Sequence, residues 1–227
     1  MNYTLADLAK MIDHSLLNPV LTIEELEAGL ATALRFNAAS VCAVPWFVPR
    51  AAEVLEGSSV IVGTTVGFPH GAQSRKQKRM EARESLAMGA EELDMVVNIS
   101  RVLSGDWKAV DREIRCLCDD IHEGGGKIKV IFENCYLEEK QIIRLCGICT
   151  EAGADWVKTS TGYGTGGAEN GDLRLMRLHS GPKVQIKAAG GVRTLDRLLE
   201  VRSLGCSRAG ATATEAILVE AEKRLGL

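Results

Sequence analysis

The chain is predicted to fold as one α/β domain, a single closed (β/α)8 barrel of the TIM type over residues 1–227. Three observations predict it. Eight short β-rich runs recur at the interval of one βα unit, each followed by a polar or Gly/Pro loop and an amphipathic helical stretch. No linker or low-complexity tract divides them. The length, 227 residues, suits one such barrel and is enough to bury a core without disulfide or metal staples. An open doubly wound sheet would need a point where the strand order reverses, and usually has fewer strands.

Taken in order, Thr4–Lys10 reads as a short helix that plugs the bottom of the barrel. The first strand is Met11–Leu16, two apolar ends around Asp13 and Ser15. Thr22-Ile-Glu-Glu25 is a capping box ahead of Leu26, Leu30 and Leu34, which recur at helical spacing. Strands two and three are Ala39–Val44 and Val60–Phe68, and strand four is Glu92–Asn98. A helix over Asp111–His122 leads to strand five, Lys127–Glu133, and a second over Leu137–Ala152 leads to strand six, Trp156–Ser160. Glu169-Asn-Gly-Asp172 opens the next helix, Val184–Ala189 is strand seven, Thr194 caps the following helix, and Arg208–Thr212 is strand eight.

Composition excludes several classes of function. Lys and Arg number 27 against 30 Asp and Glu, a net charge of −3, so no overall field favours nucleic acid or an anionic membrane. The basic run Arg75-Lys76-Gln77-Lys78-Arg79, followed by Glu81 and Glu84, reads as a solvated helix face. There is no run of about 18 apolar residues and no signal-peptide core, so a cytoplasmic protein is expected. The seven cysteines are odd in number and scattered. Cys146 and Cys149 form a CxxC pair with no second pair at zinc spacing, so buried thiols are expected, with no metal and no cofactor.

In a barrel, chemistry sits at the C-terminal ends of the strands. Strand six carries Lys158 there. Alternation with Val157 turned to the helices puts Lys158 inside, and Ile186 outside puts Lys187 inside on strand seven by the same rule. On strand four, Asp94 lies inward between Leu93 and Met95. Burying an ammonium costs several kcal/mol unless something compensates. Asp94 paired with one lysine as a structural salt bridge would leave the other lysine unexplained. Two positive charges about 4 Å apart at an effective dielectric near 20 repel by roughly 4 kcal/mol, or about three pKa units. Lys187 is thus expected to bring Lys158 toward the neutral, nucleophilic amine, and Asp94 to keep Lys187 charged and to share in proton relay. That is the chemistry of a Schiff base.

Glycine clusters follow the last three strands: Gly162, Gly164, Gly166 and Gly167, then Gly190 and Gly191 with Arg193, then Gly210 before Thr212. Glycine lets backbone N–H groups approach an anion, and the helix N-termini that follow add positive potential. A phosphate is therefore expected beside these loops. Tight turns alone would explain any one cluster, but three converging clusters with Arg193 are less easily explained that way.

Several motifs together resemble the deoxyribose-phosphate aldolase family: Ile12-Asp-His-Ser-Leu-Leu-Asn-Pro19, Ser40-Val-Cys42, Val66-Gly-Phe-Pro69, Glu92-Leu-Asp-Met-Val-Val-Asn98, Val157-Lys-Thr-Ser-Thr-Gly162 and Lys187-Ala-Ala-Gly-Gly-Val-Arg193. The resemblance runs in order from about residue 11 to about residue 218. It implies a metal-free class I aldolase that reversibly cleaves 2-deoxy-D-ribose 5-phosphate to acetaldehyde and D-glyceraldehyde 3-phosphate, and a homodimer. It also implies Lys158 as Schiff-base lysine and Asp94 with Lys187 as proton donor and acceptor. Asp13, Ser15, Cys42, Thr161 and Gly162 would line the substrate, and Gly190, Gly191, Arg193, Gly210 and Thr212 would hold its phosphate end. Asn18, Val44, Asn134 and Thr212-Ala-Thr214 depart from the family's usual residues. They spare the three catalytic positions and bear on which sugar phosphate is taken.

The remaining conspicuous residues have plainer readings. His70 is a solvated loop residue, His14 faces outward as packing, Trp46 and Phe47 form a hydrophobic plug or subunit contact, and Glu133 points inward as a partner for a lysine. Two other functions compete: a Schiff-base aldolase for another phosphorylated sugar, and a barrel that binds sugar phosphates without turnover.

Overall fold

A computed structural model describes residues 3–227. Eight parallel strands pair in chain order and close on themselves. They are β1 (Ile12–Leu16), β2 (Ser40–Ala43), β3 (Ile61–Val66), β4 (Glu92–Val96), β5 (Lys127–Ile131), β6 (Trp156–Lys158), β7 (Gln185–Ala189) and β8 (Arg208–Ala211). Every expected strand is present, shorter by one or two residues at one or both ends, where the chain leaves the ladder for a loop.

Among the described residues the helices add one, α5, to the expected set. α1 (Leu5–Ala9) lies at the N-terminal end of the barrel, where the Ala9 carbonyl accepts from the Ala39 N–H at the entry to β2 (3.0 Å). Then come α2 (Ile23–Phe36), α3 (Val48–Leu55) and α4 (Arg75–Ala87). α5 (Ile99–Leu103) is a single extra turn after β4, ahead of α6 (Trp107–Glu123). α7 (Glu139–Ala152), α8 (Asn170–His179), α9 (Leu195–Ser203) and α10 (Thr214–Leu225) complete the ring. The Thr22 capping box forms as read: Thr22 accepts from the Glu25 N–H at 3.2 Å, and Glu25 accepts from the Thr22 N–H at 2.8 Å.

Strand register divides the side chains into two sets, because partners in a parallel ladder face the same way. Val41, Val62, Leu93, Met95, Val130, Val157 and Ile186 face the helices and are buried in the apolar core. The opposite set points into the barrel and is polar: Asp13, Glu92, Asp94, Lys129, Lys158, Lys187 and Arg208. Trp156 floors this interior, with Lys129 Nζ 5.5 Å and Arg208 Cζ 5.1 Å from its ring centre. His14 faces outward as expected. It is buried, 2.7 Å from the Thr214 hydroxyl through Nδ1, and burial holds its pKa down to about 4.

Two expectations are corrected. The basic run is not wholly solvated, because Lys78 shares the inner face of α4 with Ala82 and Ser85 at helical spacing. Its ammonium is buried, donates to the Val96 carbonyl at 2.7 Å and pairs with buried Glu113 at 3.0 Å. Its stem lies on Gly67, where an added Cβ would stand 2.7 Å from Lys78 Cε. Trp46 is not a plug either: it is 80% exposed, and its neighbour Phe47 enters the core instead.

Breaking a buried ion pair from one side leaves an uncompensated charge, at a cost of about 3–5 kcal/mol. Lys78→Met should therefore lower unfolding stability by about that much in denaturant titration. Adding Glu113→Gln to it should recover most of the loss, since the Asn98 N–H that Glu113 accepts at 3.1 Å keeps an acceptor. A single variant as stable as the native chain would show that the pair does not hold α4 to α6.

Candidate active site

Asp94 is the hub of the barrel interior. Its Oδ2 accepts from Lys158 at 2.7 Å and from Lys187 at 2.7 Å, and its Oδ1 accepts from Lys129 at 3.0 Å. The β4–β5 register sets Lys129 beside Asp94, and the β6–β7 register sets Lys158 beside Lys187. Below them, Lys187 pairs with Asp13 at 2.5 Å and Lys129 with Glu92 at 2.6 Å. Arg208 bridges Asp13 at 2.5 Å and Glu92 at 2.8 Å.

Three carboxylates thus meet four cations, and the contacts single out the cation in surplus. Arg208 and Lys187 each touch two carboxylates, and Lys129 lies within 3.6 Å of three. Lys158 touches Asp94 alone, through an oxygen that Lys187 also uses. Burial lowers the pKa of the Lys158 ammonium; Asp94 opposes that and Lys187 adds to it, leaving it below the ordinary lysine value. Burial acts on Lys187 in the same sense, but Asp13 and then Asp94 outweigh it and hold its pKa above the ordinary value. Against burial, Lys129, Lys158 and Lys187 hold the Asp94 carboxyl well below its usual range. The polarity expected from the sequence is present, with desolvation rather than the Lys187 charge as the larger cause at Lys158.

Of the four interior cations, Lys158 alone lines a cavity of about 230 Å³ at the C-terminal mouth. Ser15, Thr161, Gly162, Gly190, Gly191, Arg193, Gly210 and Thr212, all read from the sequence as candidate substrate contacts, line it too. Asp94 and Lys187 lie beneath the cavity, reaching it through Lys158. Asp13 and Cys42 do not line it. Asp13 is fully buried a layer lower, where it holds Lys187 and Arg208; Cys42 is buried among the charged groups, its thiol pushed up to about 11 by burial and by Asp94. Gly190 and Gly191 have φ of +82° and +87°, conformations open to glycine, and Arg193 is exposed beside them without a salt bridge among the described residues. α10 starts just after Thr212 with no side chain capping its first turn, which leaves N–H groups free for an anion.

Sequence reasoning missed four members. Lys129, Glu92 and Arg208 follow from the alternation that placed Asp94 and Lys187, extended down β4, β5 and β8. Tyr163 also lines the cavity; its hydroxyl donates to the Leu17 carbonyl at 2.7 Å and its ring meets Phe68 edge-on at 5.5 Å. Glu133 is corrected: it accepts from the Thr161 N–H at 3.2 Å and from the Thr161 hydroxyl, and touches no lysine. Of the departures from the family pattern, Asn18 and Thr212 line the cavity. Asn134 instead donates to Asp172 at 3.1 Å, and Thr214 is buried against His14. The cysteines are free thiols, no metal-binding group occurs among the described residues, and no described helix is long and apolar enough to cross a membrane.

Comparison with known proteins places the chain among aldolases. The model of the DeoC/LacD family of aldolases matches residues 7–213. The deoxyribose-phosphate aldolase of Rhodopirellula baltica is 56% identical over 226 residues, covering 100% of this chain and 94% of that protein. That of Thermococcus gammatolerans is 44% identical, covering 91% and 93%. The tetrameric deoxyribose phosphate aldolase of Aeropyrum pernix superposes with a TM-score of 0.89 at 29% identity, covering 98% of this chain and 93% of that one.

If charge balance keeps Lys158 neutral, removing another interior cation should protonate it. Lys129→Met frees Asp94 to serve Lys158, so the Lys158 pKa should rise. Reductive methylation followed by mass spectrometry reads this directly. Reactivity of Lys158 should turn on below the ordinary lysine value of about 10.4 in the native chain. In the variant it should turn on roughly one pH unit or more higher. An unmoved inflection would detach Lys129 from the balance.

Proposed function

The chain belongs to the DeoC/LacD aldolase family, and on that premise we propose that it cleaves 2-deoxy-D-ribose 5-phosphate reversibly to acetaldehyde and D-glyceraldehyde 3-phosphate through a Schiff base on Lys158. One observation carries the assignment: Lys158 is the interior cation that is both open to the cavity and held below its ordinary pKa.

The neutral Lys158 amine attacks the substrate aldehyde carbon, and loss of water gives the protonated imine. Asp94, bonded to both lysines, takes the proton Lys158 sheds, and Lys187 returns one to the departing hydroxyl. The imine then accepts the electron pair of the C2–C3 bond as the C3 hydroxyl passes its proton, through a water, to Lys187, which the previous step left neutral. Glyceraldehyde 3-phosphate leaves and an enamine remains. Protonation at carbon and hydrolysis release acetaldehyde and restore the amine. Thr161, fixed by Glu133, and Ser15 orient the sugar hydroxyls. The glycine loops with Arg193 and Thr212 receive the phosphate. The iminium itself supplies the electron sink, so the reading needs no metal or cofactor.

A second substrate reading, a different phosphorylated sugar, rests on Asn18 and Thr212, the two departures that reach the cavity. A barrel without turnover is disfavoured by the intact group of Asp94, Lys158 and Lys187. Free thiols support a reducing, cytoplasmic setting, and the exposed Trp46 supports assembly into a homodimer.

Lys158→Ala should abolish both turnover and the adduct that borohydride traps with acetaldehyde. Lys187→Ala should lower turnover by about 10²-fold or more by breaking the relay, while trapping persists and strengthens as pH rises. Lys187→Arg, which keeps the charge and cannot shuttle the proton, should restore trapping more than turnover. A reduced adduct carried by Lys187 with Lys158 unmodified would reverse the two roles.

Arg193→Ala tests the phosphate end. Losing one charge-assisted contact should raise KM for the phosphorylated sugar about tenfold and leave unphosphorylated deoxyribose unaffected. Equal losses on both substrates would place the phosphate elsewhere.

A further inference from the structure

A cavity of about 840 Å³ lies outside the barrel, between α4, α5 and α6, and the reaction above makes no use of it. Its walls carry Arg75, Lys76, Arg79, Arg83, Arg101 and Arg112. Against a net charge of −3 for the whole chain, this is a local concentration of the opposite sign. We propose that the groove is a second anion site that binds a polyphosphate chain, free or carried by a nucleotide.

The charges are not cancelled from within. Asp120 pairs with Arg79 at 2.5 Å and Arg83 at 2.7 Å, and Asp106 pairs with Arg101 at 2.5 Å. Asp119 is exposed and acts on Arg79 without forming an ion pair. Glu113 lies at the floor but is already neutralised by Lys78. With Asp106, Asp119 and Asp120 counted against the six cations, three positive charges remain. Arg75, Lys76 and Arg112 are exposed and have no acidic partner among the described residues. The first two stand in the opening turn of α4, so its backbone N–H groups add to the same field. The buried Lys78–Glu113 pair and the Asp120 bridges fix the walls before any ligand arrives, which keeps the ordering cost of binding low.

Size and shape favour a chain of phosphates over a single one. A cavity of several hundred Å³ suits a ligand of nucleotide size. Guanidinium groups on facing helices can grip successive phosphates in bidentate fashion. Met80 is 61% exposed on the same wall and offers a polarisable surface on which a nucleobase could rest.

Titration calorimetry on the full chain at low salt, with inorganic tripolyphosphate, ATP and orthophosphate in turn, tests the site. Saturable binding of tripolyphosphate or ATP is expected, weaker for orthophosphate and falling as salt rises. R75A/R112A should weaken binding about tenfold or more, with kcat/KM for the aldol cleavage unchanged. R193A should leave this binding intact, which separates the groove from the barrel mouth. ATP binding more tightly than tripolyphosphate, with M80A removing the difference, identifies a nucleotide; equal affinities identify the bare phosphate chain. Absence of saturable binding, binding lost in R193A and kept in R75A/R112A, or tighter binding of a DNA duplex than of either ligand would overturn the proposal.

Discussion

One carboxylate organises the interior. Asp94 touches three lysines, and without it those ammonium groups would share a water-poor space with Asp13 and Glu92 placed lower down. Two buried carboxylates cannot hold four cations in the charged state, whereas three leave a surplus of one. The surplus falls on the lysine with the fewest partners, because a proton leaves most easily where the least field retains it. The proposed function follows from that imbalance: an amine at the mouth held below its ordinary pKa, with Lys187 behind it held above its own.

The same arrangement explains why the barrel tolerates so polar a centre. Buried ion pairs seldom add stability over apolar packing. Here the folding free energy comes from the other face of each strand, where Val41, Leu93, Val130, Val157 and Ile186 pack beneath the helices. The two faces alternate residue by residue, so the charged set can be chosen for chemistry while the apolar set keeps its packing. A one-residue slip of any strand would exchange the two, which makes the register the link between sequence and site.

The barrel, its strands and the convergence of Asp94, Lys158 and Lys187 were legible because alternation is strict in short buried strands and a lone charge among apolar residues is conspicuous. Lys129 was not, since Lys127-Ile-Lys129 reads equally well as a strand with one wet face. Its partner Glu92, and the Arg208 that shares that carboxylate, sit at strand starts, where exposure is the ordinary expectation. Glu133 misled for a different reason. Alternation counted from Ile131 points it inward, but β5 ends at Ile131 and Glu133 takes a φ of +58°, so its carboxylate turns to Thr161. Lys78 was hidden in a run of like charges whose helical phase alone sends one member into the core.

The spacing between Lys158 and the proposed phosphate loops is set by backbone, away from the charged cluster. Gly167 and Gly190 touch main chain to main chain: a Cβ at Gly167 would stand 2.5 Å from the Gly190 carbonyl oxygen, and one at Gly190 would stand 2.8 Å from Gly167 Cα. The Ala168 N–H donates to that same carbonyl at 3.0 Å. The loops after β6 and β7 are thereby locked together. Lys158 stands at the root of the first, and Gly191 with Arg193 follows the contact in the second. Any side chain at either glycine must push the loops apart and carry Gly191 and Arg193 away from the amine. The glycines therefore act here as a spacer, fixing how far the proposed phosphate site lies from Lys158.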